Sequence, residues 1–179
     1  MSGEIGVSFL NIYHSRLDSA KLNHQMSEHP QMRVRGFVKV LRMLPYEKEI
    51  KEYGKNIKEK LDPKLIILHG SIAKGTFGLG SDADLLVVSD KLPKNFNKRL
   101  KLLYELDNTR APLDIKGYTS KEFKKMILKG HPLVLDALED GIMLYSDKEF
   151  LKEVKNLFNE TKKHFKRIEK GWMRIKEIH

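Results

Sequence analysis

Apolar positions recur along the chain in two periods. In "YEKEIKEYGKNIKEKLDP" Ile50, Tyr53, Ile57 and Leu61 fall at three- and four-residue steps, which predicts a helix from about Tyr46 to Leu61 that Pro63 terminates. "KLIILHG" is instead a compact apolar run, rich in branched side chains and too short for a helix, hence a buried strand ending at Gly70. A single helical turn, "SIAK", and a glycine-spaced loop, "GTFGLGS", lead into a second strand, "DADLLVVSD". Phe96, Leu100, Leu103 and Leu106 in "NFNKRLKLLYELDNT" mark a helix able to pack on a sheet, and "PLDIKGY" reads as a third strand.

Two further helices carry explicit stops: "SKEFKKMILKG", with Ser120 as cap and a closing glycine, and "HPLVLDALEDG", with an early proline and a final glycine. "IMLYS" is a short strand, after which Ser146 or Asp147 caps the last helix. Phe150, Val154, Leu157, Thr161, Phe165, Ile168, Trp172 and Ile175 alternate four- and three-residue steps, so that helix is expected to run to the C-terminus. Residues 1–31 show weak periodicity, with Phe9, Tyr13 and Leu17 in a partial helix that "MSEHPQM" ends. The expected divisions are an N-terminal extension over 1–31, a domain over 32–146 and an amphipathic C-terminal helix over 147–179.

Composition narrows the chemistry. The 179 residues, 40% hydrophobic and 32% charged, can bury a real core in one domain, and neither a membrane span nor a signal peptide is visible, so the expected location is cytoplasmic. Zero cysteines exclude disulfides, thiolate metal sites and cysteine nucleophiles. The net charge of +10 suits a phosphate-rich partner, although lysine interleaved with glutamate is equally the pattern of a solvated, ion-paired surface.

The informative stretch is "LHGSIAKGTFGLGSDADLLVV". In a strand, residues i and i+2 share a face, so Asp82 and Asp84 point one way while Ala83, Leu85 and Val87 point the other. Two such carboxylates raise each other's pKa unless a cation sits between them, and with oxygen donors alone magnesium fits, with manganese nearly as good. Asp114 alternates with Leu113 and Ile115 in the third strand and can complete the set; three carboxylates can hold two ions. Upstream, Gly70 permits close backbone approach, Ser71 opens a helical turn that can receive phosphate oxygens, Lys74 adds a cation and Ser81 stands beside the acidic pair. Lys74 and Ser81 read equally well as a surface lysine and a turn residue; for Asp114 the site reading is favoured over half of a surface ion pair.

Rival motifs fail. Gly75 to Gly80 has P-loop spacing, but Ser81 and Asp82 stand where lysine and serine or threonine are needed, and no third glycine or helix follows Gly78 and Gly80 as a dinucleotide fingerprint requires. Asp90, Asp107 and Asp147 read as turn or cap residues. His14, His24, His29, His131 and His164 share no metal-binding spacing.

Gly70-Ser71, ten intervening residues and then Asp82-Ala83-Asp84 within "SDADLLVV" resemble the signature of the DNA polymerase beta-like nucleotidyltransferase superfamily. "GSIAKG" and "HPLVLDALEDGIMLY" are similar to its minimal nucleotidyltransferases, the likeness covering about Val34 to Tyr145. It implies an α+β fold, a small mixed β-sheet packed by helices in two layers, which here would carry a long C-terminal helix. It also implies a nucleotidyltransferase using two magnesium ions to move a nucleoside monophosphate, with ATP the favoured donor, onto an acceptor hydroxyl. Asp82, Asp84 and Asp114 would bind metal, Asp114 would also assist deprotonation of the acceptor, and Gly70 and Ser71 would hold the triphosphate. His69 stands where an aromatic or aliphatic residue is common, and reads as tolerated rather than catalytic. Several minimal members pair with a helical toxin and attach AMP to one of its tyrosines, so an antitoxin role and a helical protein partner come with the resemblance. RNA, a small-molecule acceptor, a homodimer formed through the uncovered stripe near Trp172, and a non-catalytic partner-binding module remain open alternatives.

Overall fold

The computed structural model describes residues 44–169 and 171–175. The extension expected over 1–31 and the apolar stretch before Leu44 lie outside the described residues.

Helix α1 (Glu47–Leu61) opens the described chain and buries Ile50, Tyr53, Ile57 and Leu61, the face its periodicity predicts. Strand β1 (Leu65–His69) is buried along its whole length. It runs into a short helix, α2 (Gly70–Lys74), then β2 (Ala83–Val88), α3 (Phe96–Glu105), β3 (Leu113–Tyr118), α4 (Ser120–Leu128), α5 (Pro132–Asp140), β4 (Ile142–Ser146) and α6 (Lys148–Lys162). A hairpin of β5 (Phe165–Ile168) and β6 (Gly171–Arg174) closes it.

The sheet has the order β3-β2-β1-β4. Strand β1 is antiparallel to both β2 and β4, and β2 is parallel to β3, so the sheet is mixed as expected. Strand alternation divides the apolar residues into two cores. Ile66, Leu68, Leu85, Val87 and Ile115 pack with α1 and Leu103 of α3, whereas Leu65, Ile67, Leu86 and Val88 pack with Phe123, Val134 and Val154 of α4, α5 and α6. Both faces are therefore covered and the layers number three where two were expected. That is why β1 reads as a continuous apolar run: a central strand with helices on each side has no wet face.

The C-terminal reading needs correction. The helix expected over 147–179 ends at Lys162, and Phe165 to Arg174 form the hairpin instead. Within α6 the stripe is buried at Phe150, Val154, Phe158 and Thr161. In the hairpin the period becomes 2, and Phe165↔Arg174 and Arg167↔Trp172 are partners on one face. That face meets α5, where Arg167 and Trp172 find carboxylates to bond, while Ile168, Met173 and Ile175 are left exposed. Tertiary pairing thus overrides a helical period that persists in the sequence. The cap of α4 also moves by one residue: Thr119, not Ser120, forms a capping box with Glu122.

Candidate active site

Three strands place polar groups in one row. His69 ends β1, Asp84 lies opposite it in β2, and Asp114 is the register partner of Asp84 in β3. Residues paired in neighbouring strands point to the same face, so His69, Asp84 and Asp114 share the side that further along carries Leu86 and Val88 towards α5. Asp82 is exposed and precedes the first residue of β2, two positions from Asp84.

Helix α2 starts at this row. Gly70 has φ +72, and a β-carbon added to it would stand 2.0 Å from Oδ2 of Asp84. The backbone therefore passes directly over the carboxylate, and a first-turn N–H of α2 has no side-chain cap, since His69 at the N-cap position makes no capping bond. Ser71 occupies the first turn and is partly exposed.

The electrostatics are those of crowded like charges. Burial pushes the Asp84 carboxyl above the ordinary range, Asp114 and Asp82 push it further, and Lys116 opposes them. Lys116 pairs with Asp114 two residues before it on the same strand face. His69 is only 6% exposed, and its Nε2 has no hydrogen-bond partner among the described residues. Burial, with Lys116 and Lys74 against the carboxylates, lowers its pKa to about 4, so the imidazole is neutral at physiological pH.

The aspartate oxygens, with the Asp84 carboxyl pushed up by burial and by its acidic neighbours, suit a hard divalent cation in chemistry. Among the described residues, however, no three acidic or histidine groups are already drawn together as a metal-binding cluster; Asp114 is engaged by Lys116 instead.

The remaining expected residues have partners. Lys74 Nζ lies 3.6 Å from Asp136 and 3.4 Å from Asp140 of α5. Ser81 Oγ accepts from the Gly78 N–H at 3.0 Å and closes the loop before Asp82. Asp90, Asp107 and Asp147 serve as turn or cap acceptors, Asp147 from the Phe150 N–H.

Sequence reasoning missed Lys116, and treated His69 as merely tolerated. The signal was present for Lys116: it stands at i+2 from Asp114 in a strand. Asp136 and Asp140, at i and i+4 of α5, were also missed, because nothing in "HPLVLDALEDG" says what that helix face meets.

Comparison with known proteins adds a match of residues 50–164 to the nucleotidyltransferase domain family. No curated protein matches the chain. Among solved structures, a candidate nucleotidyltransferase from Sulfolobus solfataricus aligns with TM-score 0.44 and 18% identity, covering 65% of this chain and 95% of that one. A toxin-antitoxin solved with AMP-PNP aligns with TM-score 0.38 and 19% identity over 63% of this chain and 82% of that one. A mutant of the toxin-antitoxin MntA-HpeT aligns with TM-score 0.35 and 19% identity over 66% of this chain and 84% of that one.

Proposed function

Starting from the fact that the chain belongs to the nucleotidyltransferase domain family, we propose that it moves AMP from ATP to a hydroxyl of a partner protein and releases pyrophosphate. The nucleotidyl transfer itself follows from the family; the donor, the acceptor and the residue roles are the proposal. The observation that carries it is the register pairing of Asp84 with Asp114 at the point where Gly70 lies over Asp84.

Asp82, Asp84 and Asp114 would hold divalent cations, two magnesium ions with manganese as substitute, which supply positive charge against the triphosphate and the acidic row. Gly70 and Ser71 bring the triphosphate to that row through the backbone N–H groups and hydroxyl of the first turn of α2. Lys74 adds a cation on the same helix, and Ser81 steadies the loop that presents Asp82. Asp114 takes the proton of the acceptor hydroxyl as its oxygen attacks the α-phosphorus, and the bond to the bridging oxygen breaks on the opposite side. A protein acceptor is supported by the likeness of "GSIAKG" and "HPLVLDALEDGIMLY" to minimal nucleotidyltransferases.

The test is transfer of label from α-labelled ATP, with magnesium, into a host lysate. A labelled protein whose modification disappears with Asp84→Asn supports the proposal; label in RNA or a small molecule replaces the acceptor; unchanged labelling by the variant removes Asp84 from the site. Among the described residues no helix is long and apolar enough to cross a membrane.

A further inference from the structure

Helix α5 presents Asp136 and Asp140 one turn apart, and two unrelated parts of the chain compete for them. From the C-terminal hairpin, Arg167 reaches Asp136 at 2.9 Å and Asp140 at 2.6 Å, and Trp172 Nε1 donates to Asp136 at 2.8 Å. From α2, Lys74 approaches the same two carboxylates only to 3.6 and 3.4 Å. Its contact with Asp140 is to Oδ2, the oxygen that Arg167 binds at short range. Arg167 also lies over the Trp172 ring, 5.0 Å from its centroid, which fixes the two donors relative to each other.

The distances rank the partners. Charge-assisted hydrogen bonds between nitrogen and carboxylate run at roughly 2.7–2.9 Å, so the hairpin makes such bonds and Lys74 makes longer ion pairs. Two carboxylates facing one ammonium would otherwise hold it tightly against α5. Arg167 and Trp172 occupy Oδ1 of Asp136 and Arg167 occupies Oδ2 of Asp140, so most of the carboxylate charge is engaged; Lys74, 3.6 Å from the remaining Oδ2 of Asp136, is oriented by the pair without being captured.

We propose that the β5–β6 hairpin is a positioning element of the nucleotide site: by satisfying Asp136 and Asp140 through Arg167 and Trp172, it leaves Lys74 available to the triphosphate. The inference rests on the reading of Lys74 as a phosphate-binding cation. It makes Arg167 and Trp172, both outside the nucleotidyltransferase motif, determinants of nucleotide affinity. Without them the carboxylates draw Lys74 back and the triphosphate must displace it.

The experiment measures the Kd of MgATP for the full chain by equilibrium dialysis, together with thermal midpoints. Trp172→Phe removes the Nε1 donor but keeps a ring beneath Arg167, and Arg167→Gln removes the charge. Each should weaken MgATP binding about fivefold, within the range of measured couplings. In a Lys74→Ala background the same substitutions should leave Kd unchanged, while any loss of thermal stability persists in both backgrounds. Equal weakening in both backgrounds, or none in the presence of Lys74, overturns the positioning role while leaving Lys74's own role intact if Lys74→Ala binds less tightly. An unaltered Kd for Lys74→Ala overturns the phosphate role of Lys74, and this inference with it.

Discussion

Gly70 and Asp84 are in contact: a β-carbon at residue 70 would lie 2.0 Å from Oδ2 and 2.8 Å from Cγ of Asp84. The φ of +72 at Gly70 independently disfavours any L side chain. Gly70→Ala must therefore shift either the backbone that opens α2 or the carboxylate. A displacement of about 1 Å at a reacting centre costs on the order of 100-fold in rate, and the left-handed conformation about 1–3 kcal/mol of stability. The expected variant folds, melts earlier and transfers label at least about 100-fold more slowly. Near-normal turnover would show that the turn and the carboxylate are not one unit.

Lys116 sets the state of the acidic row in the absence of a cation. It pairs with Asp114 while also opposing the upward push on Asp84. The cation proposed for this row would have to take Asp114 from an ammonium group. Both partners are partly exposed, with side chains 36% and 43% accessible, so the competition is screened and modest. Lys116→Met is expected to shift the magnesium concentration that gives half-maximal thermal stabilisation downward by about threefold. The combined Asp82→Asn and Asp84→Asn variant should lose magnesium-dependent stabilisation. An unchanged midpoint in Lys116→Met would mean that the bound cation does not use Asp114.

The parts of this architecture that were legible in the sequence are those settled by local pattern. Ile50, Tyr53, Ile57 and Leu61 are buried as their spacing predicts, and the alternation in β3 puts Leu113 and Ile115 in the core and Asp114 beside Asp84 on the opposite face. The second helical layer was not legible, because a strand buried on both faces does not name what covers it. The hairpin was hidden for a different reason: Phe165, Ile168, Trp172 and Ile175 satisfy a helical period, while Arg167 and Trp172 gain partners on α5 only as a ribbon. Lys74 likewise looked like a phosphate cation or a surface lysine, and its pairing with Asp136 and Asp140 depends on two helices distant in sequence.

Arg99 and Glu122 join α3 to the first turn of α4, and their pairing predicts an acid-sensitive part of the stability. Arg99, 6% exposed, donates to Glu122 at 2.8 and 3.1 Å and to the Gly117 and Pro93 carbonyls. The bond to Arg99 holds the Glu122 carboxyl below its ordinary value of 4.5, with the Thr119 N–H contributing and burial opposing. A lowered folded-state pKa gives stability that is present above the unfolded value and lost as pH falls through the folded one. Glu122→Gln should therefore cost about 1–2 kcal/mol at neutral pH, a figure reduced for the exposure of the carboxylate. In urea melts the gap between wild type and variant should shrink below the unfolded value of 4.5. A gap that stays constant into acid would assign the loss to the capping geometry rather than to charge.

Gly130 and Phe165 link the end of α4 to the start of the hairpin, and they offer a test of what holds β5 in place. Gly130 and His131 donate to the Ile127 and Met126 carbonyls, the bonding of a Schellman stop, and Gly130 has φ +66. A β-carbon there would fall 1.9 Å from Cζ of Phe165 and 2.5 Å from both Cε atoms, so the ring rests on the glycine. Gly130→Ala carries two costs: about 1 kcal/mol or more for the left-handed backbone, and an overpacking cost of about 1–3 kcal/mol that forces the ring off its seat. Because Phe165 begins β5, displacing it should loosen the ribbon and speed tryptic cleavage after Arg167. The two costs separate in a double variant. With Phe165→Ala the ring is gone, so adding Gly130→Ala should cost only the backbone part, and the double variant should be more stable than the sum of the single losses implies. Additive losses would show that Gly130 is required for its backbone angle alone, and that Phe165 does not hold the hairpin down.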